Sequence, residues 1–210
     1  MKIALINCSP KSQNSCSGTL LYDLRPLIEN NNKILNFNLN KFNAEDFDRL
    51  YKCNIIIFSY PLYVDGIPSH MLSFLMKYEE YLKGKEHKNV IVYAIANCGF
   101  YEGNQTKLSL QIIENWCSSV KFKFAQGVGV GGGPMIGSLK NVPLGHGPKK
   151  SLNTAYTIFA HNILRTNYGE NIYINPSFPR FAYILAAHHG WKTSAKINGL
   201  KKIDLKRKLK

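Results

Sequence analysis

The sequence has 210 residues, 45% of them hydrophobic and 12% aromatic, and its 27 basic and 13 acidic side chains give a formal net charge of +14. That is enough apolar chain for one cored domain. No run approaches the roughly 20 apolar residues of a membrane span, and the opening MKIALIN is too short for a signal-peptide apolar region before Asn7 and Cys8, so the chain is expected to be soluble and cytoplasmic.

Five cysteines, at 8, 16, 53, 98 and 117, form no close pair and leave an odd count, which argues against a disulfide framework, a structural zinc or an iron–sulfur cluster. A chain this basic invites a nucleic-acid partner through counterion release. However, the last ten residues, KKIDLKRKLK, hold six basic groups and one acid, leaving +9 for the first 200. A solvated tail is the simpler reading, and neither a helix-turn-helix signature nor an aromatic RNA-binding motif appears. The remaining positive field suits anionic small ligands.

In chain order, KIALIN (2–7) reads as a buried strand and GTLLYDLRPLIE (18–29) as the helix after it. KILNFNL (33–39) alternates as an edge strand. CNIIIFSY (53–60) is apolar through its middle, as a central parallel strand covered on both faces must be. Met71, Phe74, Leu75, Tyr78, Tyr81 and Leu82 mark a helix behind Pro68 as an early-turn residue. NVIVYAIAN (89–97) is a fourth strand, Leu108, Ile112 and Trp116 mark one helix face, and KFKFAQGVGV (121–130) is a fifth strand. Leu152, Ala155, Phe159 and Ile163 mark one face of another helix, and 167–210 reads as an appendage to a single domain spanning 1–210. Five strands interleaved with helices imply an α/β doubly wound parallel sheet, which binds ligands beyond the carboxyl ends of its strands.

The loops at those ends carry the chemistry. In CSPKSQNSCS (8–17) a strand passes into a helix near Ser17, where free N–H groups and the positive helix end favour an anion. The hydroxyls of Ser9, Ser12, Ser15 and Ser17, the Asn14 amide and Lys11 can add charge-assisted bonds of roughly 1.5 to 3 kcal/mol each. A terminal phosphomonoester suits this loop best, since the P-loop glycine pattern is absent. The competing reading is a solvated turn with Ser17 as N-cap. YPLYVDGIP places Tyr60, Leu62, Tyr63 and Val64 where a structural loop is usually polar, and NCGFYEGNQT adds Phe100 and Tyr101 beside Gly99 and Gly103. A flat aromatic ligand would pack there, although the aromatics could instead plug the core from above.

INCSPKSQNS, YPLYVDGIPSHMLSFL, NCGFYEGNQTKLSLQIIENWC, GVGVGGGPM and the closing NGLKKIDLKRK, in this order along nearly the whole chain, resemble the flavodoxin-like NAD(P)H-dependent FMN reductases. The resemblance implies a flavodoxin-like five-stranded sheet of order 2-1-3-4-5 with helices on both faces and a C-terminal helical appendage. It implies an FMN phosphate on Ser9, Lys11, Asn14, Ser15 and Ser17. The isoalloxazine would be wrapped by Pro61, Leu62, Tyr63 and Val64, then by Asn97, Cys98, Gly99 and Phe100. The family usually has Gly where this chain has Cys8. A homodimer is also implied.

GVGVGG (127–132) matches GxGxxG, but it runs into Gly133 and Pro134 instead of a helix, and no acid follows for a ribose. It is read as a strand end passing close to the flavin, with small residues around Gly132 leaving a slot for a second planar ligand. His188 and His189 are adjacent and point about 100° apart on a helix, which is poor geometry for one metal. Cys98 is read as a packing residue. The expected activity is an FMN-dependent oxidoreductase that accepts a hydride from NADH or NADPH and passes electrons to a small acceptor such as a quinone or free flavin. No catalytic side chain and no metal is assigned, and backbone N–H groups after the third and fourth strands would stabilise charge on the reduced ring. The alternatives are a flavodoxin-like electron carrier, which would more often be acidic, and a flavin-free protein docking its basic tail on nucleic acid or an anionic membrane.

Overall fold

The computed structural model describes residues 1–11, 13–201, 203–204 and 207. Six strands, β1 (Lys2–Asn7), β2 (Lys33–Asn38), β3 (Ile55–Pro61), β4 (Ile91–Asn97), β5 (Lys123–Val130) and β6 (Ile172–Ile174), form one sheet of order β2-β1-β3-β4-β5-β6. Every neighbouring pair is parallel. The expected five strands are present, and a sixth corrects the count. β6 pairs Val128–Val130 with Ile172–Ile174, so the sheet continues inside the segment read as an appendage.

The helices are α1 (Cys16–Ile28), α2 (Ala44–Tyr51), α3 (Ser69–Leu82), α4 (Lys107–Ser119), α5 (Gly133–Ser138), α6 (Lys150–Arg165) and α7 (Arg180–Ile197). Successive strand side chains point to opposite faces, which divides the core in two. Ala4, Ile6, Ile56 and Phe58 pack with Phe74 and Tyr78 of α3 and Ile113 and Trp116 of α4. Ile3, Leu5, Ile55 and Ile57 pack with Leu20 and Leu24 of α1 and Tyr156 and Phe159 of α6. Both faces being covered is why the strands read as unbroken apolar runs.

The buried face of α4 corrects one expectation. Leu110, Ile113, Trp116 and Cys117 are buried, whereas Leu108 and Ile112 are exposed. α2, which the periodicity did not suggest, starts at a reciprocal capping box between Asn43 and Asp46. Pro68 is the N-cap of α3, just outside its first turn.

The chain divides into two compact units, residues 1–177 and 178–210. The second contains α7, which has no acidic residue and exposes Phe181, Leu185 and Trp191. His188 and His189 lie on it, both exposed. Much of the basic tail lies outside the described residues. No described helix is long and apolar enough to cross a membrane.

Candidate functional site

The carboxyl ends of β1, β3, β4 and β5 lie side by side in the sheet, so the loops that follow them share one rim. The first loop is held by amides. Asn7 Oδ1 accepts from Ser9 N–H at 3.1 Å, Asn7 Nδ2 donates to Ser15 Oγ at 3.2 Å, and Ser9 Oγ accepts from Lys11 N–H at 3.3 Å. Asn40, beyond β2, donates to the Ser9 and Lys11 carbonyls at 3.0 and 3.3 Å. Asn14 takes a left-handed φ of 49°, which asparagine tolerates better than most residues.

α1 begins earlier than the sequence suggested, and its N-cap is Ser15, not Ser17. Ser15 has extended backbone and its Oγ accepts from Gly18 N–H at 3.1 Å. The first two helical amides, of Cys16 and Ser17, meet no acceptor among the described residues. Ser9, at 3% exposure, and Ser15, at 5%, already accept hydrogen bonds through Oγ, while their hydroxyl protons meet no acceptor among the described residues. Buried hydroxyls with uncommitted protons, unpaired helix-end amides and Lys11 together form a donor set that lacks an acceptor. The first turn of α1 carries no acid to oppose one. Ser12 lies outside the described residues.

Ser17 serves differently from the expectation. It is 1% exposed, its Oγ accepts from Asn97 Nδ2 at 3.0 Å, and its carbonyl accepts from Ser59 Oγ at 3.0 Å. Asn97 Nδ2 also donates to the Tyr60 carbonyl at 2.9 Å, and its backbone carbonyl accepts from Leu62 N–H at 2.7 Å. One buried amide thus ties the first loop to the loops after β3 and β4.

In the loop after β3, Tyr63 and Gly66 exchange two backbone hydrogen bonds of 3.0 Å around Val64 and Asp65, whose φ values are 47° and 59°. This two-residue turn normally takes Asn-Gly. A valine there is strained by its branched Cβ, and its side chain projects fully into solvent. Tyr63 and Phe100 are about half exposed, so the rim presents apolar surface beside the donor-rich loop. Leu62 and Cys98 are buried, which leaves mainly their backbones for a ligand; Pro61 is partly buried and Gly99 exposed. Burial pushes the Cys98 thiol up to about 11, against a weaker pull from a hydrogen bond with Phe100, so it is a neutral thiol at neutral pH.

The glycines after β5 depart from the expected slot. A Cβ at Gly131 would fall 2.0 Å from the Tyr101 carbonyl oxygen, at Gly132 2.8 Å from the Pro176 ring, and at Gly133 2.9 Å from the Cys98 carbonyl oxygen. Gly132 also has a φ of 64°. Their small size is taken up by the chain's own packing. GVGVGG does lead into a helix, the six-residue α5, contrary to expectation.

Two cavities flank the first turn of α1. One, of about 240 Å³, is lined by residues including Asn7, Ser15, Gly18, Tyr22 and Lys140. The other, of about 350 Å³, runs from Lys11 and Cys16 to Gly133, Gly137 and Lys140. Larger hollows of about 370 and 530 Å³ lie elsewhere, at the amino ends of the strands beside Tyr51 and Phe122, and between Phe47 and His70. Neither reaches the rim loops. Sequence reasoning missed Asn7, Asn40 and Lys140. Asn7 was signalled by a polar residue closing an apolar strand, whereas Asn40 and Lys140 reach the loop through the fold, without local sequence signal.

No protein-family model and no curated protein matches the sequence. Solved structures do match. An NADPH-quinone reductase from P. pentosaceus is 17% identical with a TM-score of 0.56, over 76% of this chain and 98% of that one. A flavodoxin from the domain Archaea is 12% identical with a TM-score of 0.54, over 79% and 98%. The Trp repressor binding protein of Bacillus subtilis is 18% identical with a TM-score of 0.52, over 62% and 84%. At these identities the likeness establishes the fold, which is flavodoxin-like.

Proposed function

We propose that the chain is an FMN-dependent oxidoreductase that accepts a hydride from NADH or NADPH and passes electrons to a small acceptor such as a quinone or free flavin. The observation that carries this reading is the unfilled donor set at the start of α1. The Ser9 and Ser15 hydroxyls, the Cys16 and Ser17 amides and Lys11 would hold a phosphomonoester. Tyr63, Val64 and Phe100 stand exposed on the adjacent strand ends, where a planar ring would cover them. The residues therefore fit FMN. Bound there, FMN supplies the hydride chemistry, and the protein supplies position and charge complementarity.

Asn97 fixes the spacing between phosphate and ring by holding Ser17, Tyr60 and Leu62 together. Asn14 belongs to the phosphate loop. Pro61, Leu62, Asn97, Cys98 and Gly99 would offer mainly backbone to the ring, and Gly132 acts behind them by admitting close packing. The fully buried Cys8 stands where the resemblance expects glycine. A homodimer, as the resemblance implies, completes the reading.

The packed glycines at 131–133 remove one reason to expect a nicotinamide slot and favour a second reading, a flavodoxin-like electron carrier. The net charge of +14 weighs against it. Two measurements decide. FMN should bind far more tightly than riboflavin, which lacks the phosphate; equal affinities would remove the phosphate site. Excess NADH or NADPH should then bleach the FMN-loaded protein anaerobically, with air or a quinone restoring the colour over repeated turnovers. If dithionite bleaches it and neither nicotinamide does, the carrier reading stands.

A further inference from the structure

We infer that Lys140, from the segment after α5, is a second cationic partner of the phosphate held at the start of α1; this rests on the FMN reading. A phosphomonoester carries roughly −1.5 to −2 charges at pH 7, and the first loop offers one positive side chain, Lys11. Both cavities along the first turn of α1 are lined by Asn14, Thr19 and Lys140, and Lys11 and Lys140 line the larger of the two together. Lys140 is exposed and makes no ion pair among the described residues. Its ammonium stands 5.5 Å from the centre of the Tyr22 ring, a contact that steadies a cation without neutralising it. The uncommitted hydroxyl protons of Ser9 and Ser15 point to the same anionic ligand.

The segment bearing Lys140 is pinned to α1 on both sides. Before it, Gly137 packs so tightly on Cys16 that an added Cβ would meet the Cys16 Cβ at 2.9 Å, and its carbonyl accepts from Thr19 Oγ1 at 3.5 Å. After it, the fully buried Lys149 donates to the Val142 carbonyl at 2.9 Å and pairs with Asp23 at 2.7 Å. Asp23, one turn beyond Thr19 on α1, is paired with Lys149, and Lys140 makes no ion pair among the described residues.

The test is the ratio of FMN to riboflavin affinity, measured by flavin fluorescence in wild type, Lys140→Gln, Lys140→Arg and Lys123→Gln. Lys123 starts β5 at the opposite end of the sheet, so its loss lowers the net charge equally without touching the loop. Lys140→Gln should weaken FMN about tenfold, leave riboflavin unchanged and flatten the salt dependence of FMN binding. Lys140→Arg and Lys123→Gln should keep the wild-type ratio. An unchanged ratio in Lys140→Gln, or equal weakening of both flavins, overturns the inference while leaving the FMN reading intact. Wild type that fails to prefer FMN overturns both.

Discussion

Ser15 allows the anion site to be tested against the stability of the helix it caps, because the two respond oppositely to the same change. Its Oγ accepts from Gly18 N–H and Asn7 Nδ2. A carboxylate can accept both, aspartate is as good an N-cap as serine, and a negative charge at a helix N-terminus contributes about 0.3 to 1 kcal/mol. Ser15→Asp should therefore fold at least as stably as wild type. Against a bound phosphate the same carboxylate is repelled by about 4 kcal/mol for each pair of unit charges 4 Å apart at an effective dielectric of about 20. Screening from the open side of the loop lowers this, so a loss of about 100- to 1000-fold in FMN affinity is expected. Ser15→Ala should lose about 1 kcal/mol of stability with its cap and roughly tenfold in FMN affinity with its donor. Stability should thus rank Asp, Ser, Ala and FMN affinity Ser, Ala, Asp, as read by thermal melts and fluorescence titration. A folded Ser15→Asp protein that binds FMN as wild type does would refute the placement of the phosphate.

Three further outcomes follow from packing and charge. Gly132→Val puts a branched side chain at a φ of 64° against Pro176, and should cost on the order of 2 kcal/mol and about 4 to 8 °C in Tm; an unchanged melt would contradict that packing. Val64→Asn relieves the left-handed valine and should raise stability by about 1 kcal/mol, seen as a higher urea midpoint. Burial holds Cys53 and Cys98 near 11, against an ordinary value of 9.0, so at pH 8 each should react with a thiol reagent about 100-fold more slowly than an exposed thiol. Because their folded-state values are raised, stability present below pH 9 should be lost as the pH rises toward 11, and a urea midpoint that stays level from pH 8 to pH 11 would count against their burial.

The parallel sheet was legible because strands covered on both faces leave unbroken apolar runs, as in Ile55–Phe58. The donor-rich character of the loop after β1 was legible from its crowd of small polar residues. What sequence reading mistook was decided by contacts between distant segments. β6 is three residues long, and its place is fixed by Asn171 and Asn175, which accept from the backbone N–H groups of Gly127 and Gly103. The face of α4 was mistaken because Leu108 and Ile112 are apolar yet point to solvent, and only the sheet beneath selects Leu110 and Ile113. The cap lies at Ser15, whose backbone is extended and whose Oγ accepts from Gly18 N–H, while the Oγ of Ser17 is turned to Asn97. The glycines after β5 were read as room for a ligand because a sequence shows that a residue is small without showing what lies against it.

The span of the contacts around Ser17 also sets an order in time. Its partners Ser59 and Asn97 lie 42 and 80 residues further along the chain. With translation at about 5 to 20 residues per second, roughly 4 to 16 seconds separate the emergence of Ser17 from that of Asn97. Until then the loop lacks the amide that sets its distance from the rim strands. A chain stalled before residue 97 carries every donor of the first loop without the amide that ties them to the strands of the rim, so the spacing of this rim is set only once almost half of the sequence has been made.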